Sequence, residues 1–361
     1  MGNDWGGGIY VETTCILIAA YKPDSTCLNT IRELIDTGFR HIIVVNDGSG
    51  DSFASFFETI QHFPEVTVLH HAVNQGKGRA LKTAFHYILN ERKDIQKVIT
   101  VDADGQHLTK DICALYHSSI HNDGILLGVR DFDQKDVPFR SRFGNKLTRN
   151  LFRYATGIGV TDTQTGLRLF PRKDLKWILS VKGEAFDYEL HLLAESKDAG
   201  VSIFEVEIDT VYVNNNKSSH FQPIRSSLQI YKVFLRFALS GLASFGLDMA
   251  LFALFIWLWK DDAPEMYIVL ATILARVLSA SFNYVINRKK VFQKGDERSF
   301  VKYMILAALI MALSAGLVHG LFFITGTGEM IIKVVVDGLL FLVGFVIQRE
   351  WVFKKKKPKH S

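Results

Sequence analysis

Four stretches in the second half of the chain, about 237–259, 266–287, 303–324 and 330–347, are apolar almost throughout. Roughly 20 such residues make a helix long enough to cross a bilayer. Inside lipid every backbone N–H and C=O must find its partner within the segment, which leaves helices as the solution for isolated runs of this kind. The connections set an orientation. The loop 260–265 carries three acidic residues and one basic, 288–302 carries six basic and two acidic, and the tail from 349 carries six basic and one acidic. By the positive-inside rule, the middle loop, the tail and the first half of the chain are expected in the cytosol. The formal net charge of +5 is therefore read as attraction to lipid headgroups and not to nucleic acid.

The apolar half repeats itself. Residues 284–292 echo 345–353, and 234–237 echo 300–303, which predicts two hairpins of one orientation. Asp248, Arg276, Asn283, His319, Lys333 and Asp337 fall inside the runs. Charge in a membrane is costly and marks function by default. An Asp248–Arg276 pair is one reading; helix packing and snorkelling is the other. The segment 223–233 reads as an amphipathic helix at the interface.

The first half mixes charged and apolar residues in the manner of a globular domain. Short apolar runs at 15–19, 41–45, 66–69, 98–101 and 125–128 read as strands, with helical patterns at 28–37 and 77–90 between them. Alternation of this kind predicts an α/β fold with a mostly parallel sheet covered on both faces. Three polar motifs follow three of the strands: Ala20-Tyr21-Lys22-Pro23-Asp24, Asn46-Asp47-Gly48-Ser49 and Asp102-Ala103-Asp104-Gly105-Gln106-His107. Open α/β sheets bind ligands at the carboxyl ends of their strands, so the three are expected to converge on one crevice. The cysteines, Cys15, Cys27 and Cys113, show no paired spacing. Neither a disulfide framework nor a zinc site is indicated, and a reducing cytosolic setting is expected. No signal peptide is legible at the start.

Asp102 and Asp104 alternate, which on an extended segment places both on one side. With Gln106 they suit Mg2+ or Mn2+, hard ions that take one or two carboxylates together with substrate phosphates; a solvated turn is the competing reading. Asp47 is either a turn former or an acceptor for a base or ribose. Asn74-Gln75-Gly76-Lys77-Gly78 enters a helix through glycines, where backbone amides can meet phosphate, or is a plain helix start.

Taken in order, these motifs resemble those of family 2 glycosyltransferases with the GT-A (Rossmann-like) fold, within the polyprenyl-phosphate, dolichol-phosphate mannose synthase-like branch. Asp162-Thr163-Gln164-Thr165-Gly166-Leu167-Arg168, Phe186-Asp187-Tyr188-Glu189 and Ser219-His220-Phe221 extend the match over roughly 13–225. Ala19 and Lys22 depart from it, where the family often has Pro and Asn. The apolar half resembles the GtrA-type membrane domain. The organisation implied is a GT-A domain over 1–221, an interfacial helix at 222–235, a four-helix transmembrane domain over 236–353 and a basic tail at 354–361.

The resemblance implies inverting transfer of a hexose from a nucleotide-sugar to a polyprenyl (undecaprenyl or dolichyl) phosphate at the cytosolic face. UDP-hexose is the favoured donor, with GDP-mannose open. Donor binding falls to Ala20, Tyr21, Asp24, Asp47, Gly76, Lys77, Asp102, Ala103, Asp104 and Gln164. Arg130, Arg140, Ser141 and Arg142 are expected at the lipid phosphate, since arginine holds phosphate bidentately. Asp104, Arg130 and Asp162 form the expected catalytic set. The acceptor phosphate is already anionic, so Asp162 as a base competes with Asp162 as a loop-orienting or donor-binding group. A flippase for lipid-linked sugar with a sensing domain is the alternative function, and a homo-oligomer is left open.

Overall fold

A computed structural model describes residues 12–131, 139–209, 223–259, 267–326 and 329–354. The chain divides into two units, Met1–Ser227 and Leu228–Ser361. Loop 260–265, the lysines from 355 onward and Ser219-His220-Phe221 lie outside the described residues.

The first unit is built on strands β1 (Thr14–Ala20), β2 (His41–Asp47), β3 (Val66–His71), β4 (Lys97–Asp102), β5 (Ile125–Arg130), β6 (Arg168–Pro171) and β7 (Ile203–Ile208). Among the described residues they form one sheet in the order β3-β2-β1-β4-β6-β5-β7. The pairs β1–β2, β2–β3, β1–β4 and β5–β7 are parallel. β6 runs against both β4 and β5, so six strands share one direction. The sheet is mostly parallel, as the alternation predicts, and the four-residue β6 reverses direction between two parallel strands. Because β6 is antiparallel, the loop that leads into it ends at the same edge where the parallel strands end.

Helices α1 (Ser25–Asp36), α2 (Ala54–Gln61), α3 (Lys77–Glu91), α4 (Thr109–Ser118), α5 (Phe139–Thr156), α6 (Leu175–Ser180) and α7 (Asp187–Ala199) complete the unit. Local chemistry sets their ends. Asp24 caps α1, its Oδ1 accepting from the Thr26 amide at 2.9 Å, which satisfies one orphan donor of the first turn. Gly200 closes α7 in the left-handed region. At the end of α3, Arg172 donates to the carbonyls of Ile88, Leu89, Arg92 and Ile95 at 2.8–3.3 Å. One core joins Ile16, Ile18, Ile42, Val44, Ile99 and Val101 of the sheet to Cys27, Ile31, Leu34, Ile112 and Leu115 of α1 and α4. The alternate strand residues Leu17, Ile43, Val45 and Val98 are also buried. Burial on both faces explains why the strands read as apolar runs and not as alternating ones.

α8 (Pro223–Trp259), most of which belongs to the second unit, is one continuous helix, with no break between the stretch expected at the interface and the span after it. It is followed by α9 (Tyr267–Ile286), α10 (Ser299–Thr325) and α11 (Glu329–Ile347). Among the described residues these four helices are long and apolar enough to cross a membrane. The repeat has a structural counterpart. α9 and α11 each run into a single π-helical turn, Asn287–Val291 and Gln348–Val352. The amides of Phe292 and Phe353 close those turns on the Asn287 and Gln348 carbonyls, each at 2.8 Å. The two turns meet: Asn287 Nδ2 donates to Gln348 Oε1 at 3.0 Å, and the Phe292 and Phe353 rings stack at 4.9 Å. Ser240 of α8 donates to Asn287 Oδ1 at 2.6 Å. A buried amide in an apolar bundle needs such partners. Arg276 Nη2 lies 3.2 Å from Asp248 Oδ2, and Lys333 Nζ lies 2.6 Å from Asp337 Oδ2, so each hairpin carries an ion pair across or along its helices.

All three cysteines are free and buried. Burial pushes the Cys15 and Cys27 thiols up to about 12 and raises Cys113. The thiolate is the reactive form, so the folded chain is expected to resist maleimide at pH 8 and to take three labels only after denaturation, counted by mass spectrometry.

Candidate active site

Asp47 ends β2 and is 3% exposed. Its carboxylate does not stand open. Oδ1 accepts from the Gln75 amide at 2.9 Å and from His71 Nδ1 at 2.7 Å, and Oδ2 accepts from the Gly76 amide at 2.8 Å. His71, the last residue of β3, is held in turn by Thr83 Oγ1 at 2.9 Å. Asp47 thus fixes the loop that opens α3. Two glycines make room for the loop: a Cβ on Gly48, in the turn after β2, would lie 2.2 Å from the Val73 carbonyl carbon, and Gly76 within the loop has φ +98°.

That loop delivers Lys77, the first residue of α3, to the end of β4. Lys77 Nζ lies 2.6 Å from Asp102 Oδ1 and 3.0 Å from Glu189 Oε2 of α7. Burial alone would lower its pKa, but the two carboxylates outweigh that and raise it. Burial likewise opposes the Asp102 charge, yet the Lys77 ammonium, with Arg130 adding to it, holds its pKa down to about 2. Asp104 is raised, by burial first and then by the Asp102 charge. His107 is lowered, chiefly by burial, and its Nδ1 accepts from the Asp102 amide at 3.1 Å, which fixes a neutral tautomer with the proton on Nε2. Gly166 packs on the Asp102 carboxylate so closely that a Cβ would fall 2.2 Å from Oδ2.

The extended geometry expected at Asp102-Ala103-Asp104 is not what forms. β4 ends at Asp102, and Ala103 and Asp104 turn, with Gly105 at φ +69°. Asp104 Oδ1 accepts from the Gln106 amide at 3.1 Å, as short polar side chains do in such turns. Among the described residues no three His, Cys, Asp or Glu side chains are clustered to hold a metal ion. Asp102 and Asp104 nevertheless fit a hard divalent ion whose remaining ligands come from substrate oxygens and water. The upward pressure of the Asp102 charge on Asp104 is the repulsion that such an ion relieves.

At the end of β5, Arg130 grips Asp162 with two bonds, Nε to Oδ2 at 2.7 Å and Nη2 to Oδ1 at 3.3 Å. Asp162 is fully buried, and its Oδ1 also accepts from the Gln164 amide at 2.9 Å. A carboxylate engaged in this way clamps the guanidinium in one orientation. Further back, Arg168 donates to the Thr165 carbonyl at 2.9 Å and to the Glu189 carbonyl at 2.7 Å.

The turn after β1 is more open. Ala20, expected at the donor, is fully buried, whereas Tyr21 is exposed. Lys22 Nζ lies 5.2 Å from the Tyr21 ring centroid, and the Lys22 amide donates to Ser49 Oγ at 2.9 Å. Lys22 has φ +50°, a conformation that asparagine tolerates better. This gives a backbone reason for the asparagine that the resembled enzymes often have there. Asp24 serves α1 as its cap. Arg142 is half-buried on α5, while the side chains of Arg140 and Ser141 lie outside the described residues.

The structure thus brings Asp47, Gly76, Lys77, Asp102, Asp104, Arg130 and Asp162 to one edge of the sheet. Glu189, Arg168 and His107 join them. All three sit in motifs visible in the sequence, but nothing local says that Glu189 meets Lys77 across more than a hundred residues.

Residues 15–179 match the family described as glycosyl transferase family 2, and residues 236–353 match the GtrA/DPMS transmembrane domain. The UDP-N-acetylglucosamine–dolichyl-phosphate N-acetylglucosaminyltransferase of Methanococcus voltae is 28% identical over 216 residues, covering 55% of this chain and 85% of its own. The polyprenol monophosphomannose synthase of Mycolicibacterium smegmatis is 26% identical over 175 residues, covering 46% and 65%. Among solved structures, a glucosyl-3-phosphoglycerate synthase from Mycobacterium tuberculosis matches with a TM-score of 0.46 at 16% identity, over 65% of this chain and 85% of that one.

Removing the Asp47 carboxylate strands two backbone amides and a histidine in a buried setting. Asp47→Ala is expected to cost about 2–3 kcal/mol, read as a fall of several degrees in the thermal midpoint of the full chain in detergent. An unchanged midpoint would show that the loop stands without it.

Proposed function

We propose that this chain, an integral membrane protein with a family 2 glycosyltransferase domain joined to a GtrA/DPMS transmembrane domain, transfers a hexose from a nucleotide-sugar to a polyprenyl phosphate. The single observation that carries the reading is the gathering of Asp102, Asp104, Lys77 and the Arg130–Asp162 pair at one edge of the sheet. It offers carboxylates for a divalent ion and cations for two phosphate-bearing substrates. The names of the similar proteins support the acceptor class, since one transfers to dolichyl phosphate and another makes polyprenol monophosphomannose.

Mg2+ or Mn2+, when bound, would neutralise the diphosphate leaving group; Asp102, Asp104 and Gln106 are the residues to hold it. Lys77 faces the donor phosphates, on a loop that Asp47 holds through the Gln75 and Gly76 amides, and Tyr21 offers an exposed ring to the base. The reaction we infer is a single displacement. An acceptor phosphate oxygen bonds to the anomeric carbon, the bond from that carbon to the diphosphate breaks, and the nucleoside diphosphate leaves with the electron pair, inverting the centre. The attacking oxygen is already anionic, so no proton need be taken from it. Asp162 then acts as a positioning residue that aims Arg130 at the lipid phosphate, with Arg140, Ser141 and Arg142 as further contacts. We place the site on the cytosolic face from the basic loop 288–302 and tail. A UDP-hexose is our preferred donor and GDP-mannose the competitor.

A second reading, translocation of a lipid-linked sugar, has one observation in its favour. A cavity of about 760 Å3 in the membrane unit is lined by Arg276, Asn283, His319, Lys333 and Asp337 among apolar walls, and polar groups at such depth mark function by default.

The test is transfer of labelled sugar into lipid by the purified full chain with Mn2+, a polyprenyl phosphate and a panel of UDP- and GDP-sugars. Product is expected from one donor. Asp104→Asn is expected to lower the rate by roughly 100-fold or more, and Arg130→Ala to lower kcat/KM for the acceptor by roughly 10–100-fold. No lipid product from any donor would refute transfer. Proteoliposomes that move a lipid-linked sugar equally well with Asp104→Asn, and form no product with the wild type, would establish the second reading instead.

A further inference from the structure

Lys77 occupies the coordination side of Asp102. Its ammonium is 2.6 Å from Oδ1 and its side chain is only 15% exposed. The carboxylate has little freedom to turn away, because Gly166 packs against it with no room for even a methyl group. Of the two partners the lysine is the mobile one, a point charge on a four-carbon stem.

A receiving place for it is already built. Glu189 Oε2 holds the same ammonium at 3.0 Å. Glu189 Oε1 has no hydrogen-bond partner among the described residues, and Arg168 Nε stands 4.0 Å from it. The glutamate therefore has unused acceptor capacity in a buried setting, where an unsatisfied carboxylate oxygen is costly. The Phe186 ring lies 5.8 Å from Nζ, and an aromatic face beside Glu189 is a second surface that accepts a cation.

The charge balance makes the lysine conditional. A bare divalent ion at Asp102 would meet an ammonium with nowhere to lose its charge, and like charges at this depth repel strongly. A nucleoside diphosphate arriving with the ion brings its own negative charge. The excess is cancelled, and the ammonium can leave Asp102 for Glu189 and the phosphates.

We propose that Lys77 is a resident counter-ion of Asp102 that yields the carboxylate to a divalent cation only when a nucleoside diphosphate enters, with Glu189 as its receiving partner. It rests on the assignment of Asp102 and Asp104 as metal ligands. Glu189 is thereby a positioning residue for Lys77, and metal and donor bind as a pair, each weakly without the other.

The readout is free Mn2+ measured by electron paramagnetic resonance on the full chain in detergent, with and without UDP or GDP. The wild type is expected to bind Mn2+ poorly alone and well with the nucleotide. Lys77→Met is expected to bind Mn2+ alone about tenfold tighter than the wild type, the size set by loss of one charge-assisted hydrogen bond, and to depend less on nucleotide. Glu189→Gln is expected to move the other way, weakening Mn2+ binding in the presence of nucleotide about tenfold. A variant that merely folds poorly loses affinity, so the gain in Lys77→Met separates the counter-ion role from damage. Unchanged or weaker Mn2+ binding by Lys77→Met, in a chain whose wild type binds Mn2+ with nucleotide, would overturn the counter-ion role alone. Absence of Mn2+ binding by the wild type with either nucleotide would remove the metal site as well.

Discussion

A half-buried carboxylate at the end of a strand calls for a cation, and Asp102 pairs with Lys77. Much of the site's architecture serves that contact. Lys77 can reach β4 only because α3 begins where it does. α3 begins there because Gly76 turns with positive φ, and Gly76 is held by the Asp47 carboxylate through its own amide. Three strand ends, β2, β3 and β4, are thus wired together through one loop. The wiring is polar and buried, the kind of network that specifies a single arrangement when every member is satisfied.

The opposite flank follows the same rule with different chemistry. Asp162 is buried as deeply as any residue in the unit, and Arg130 answers it with a bidentate grip. The short antiparallel β6 makes this pairing available, because its reversed direction brings the Asp162–Gly166 loop to the edge where the parallel strands end. Gly166 closes on Asp102 from that loop. The insertion of one reversed strand therefore joins the lysine-held carboxylate to the arginine-held one.

The membrane unit solves a related problem in a different solvent. Its polar groups meet one another: Asn287 with Ser240 and Gln348, Asp248 with Arg276, Asp337 with Lys333. The two π turns give the internal repeat a physical meaning. Each hairpin ends by opening its helix at an amide side chain, and the two amides bond to each other.

The sequence by itself determined the elements whose signal is local. Apolar runs located β1 to β5, the long apolar stretches located four membrane helices, and the motifs at strand ends named most of the residues that meet in the crevice. Periodicity and turn chemistry act over a few residues, so they are legible without a partner. What the tertiary structure decided is who meets whom. β6 and β7 are short or mixed in pattern, and only pairing makes them strands. The alternation of Asp102 and Asp104 suggested an extended segment, but the strand ends at Asp102, and Gly105 and the Asp104–Gln106 bond make a turn. Asp47 read either as a turn former or as an acceptor for a base or ribose, and the fold engages it with a loop 28 and 29 residues away. Lys77 finds Glu189, and Arg130 finds Asp162, across separations that loop closure alone can bridge. The paired motifs carried the charges; the fold assigned each charge its partner, because buried charge must be neutralised by whatever the topology brings within reach.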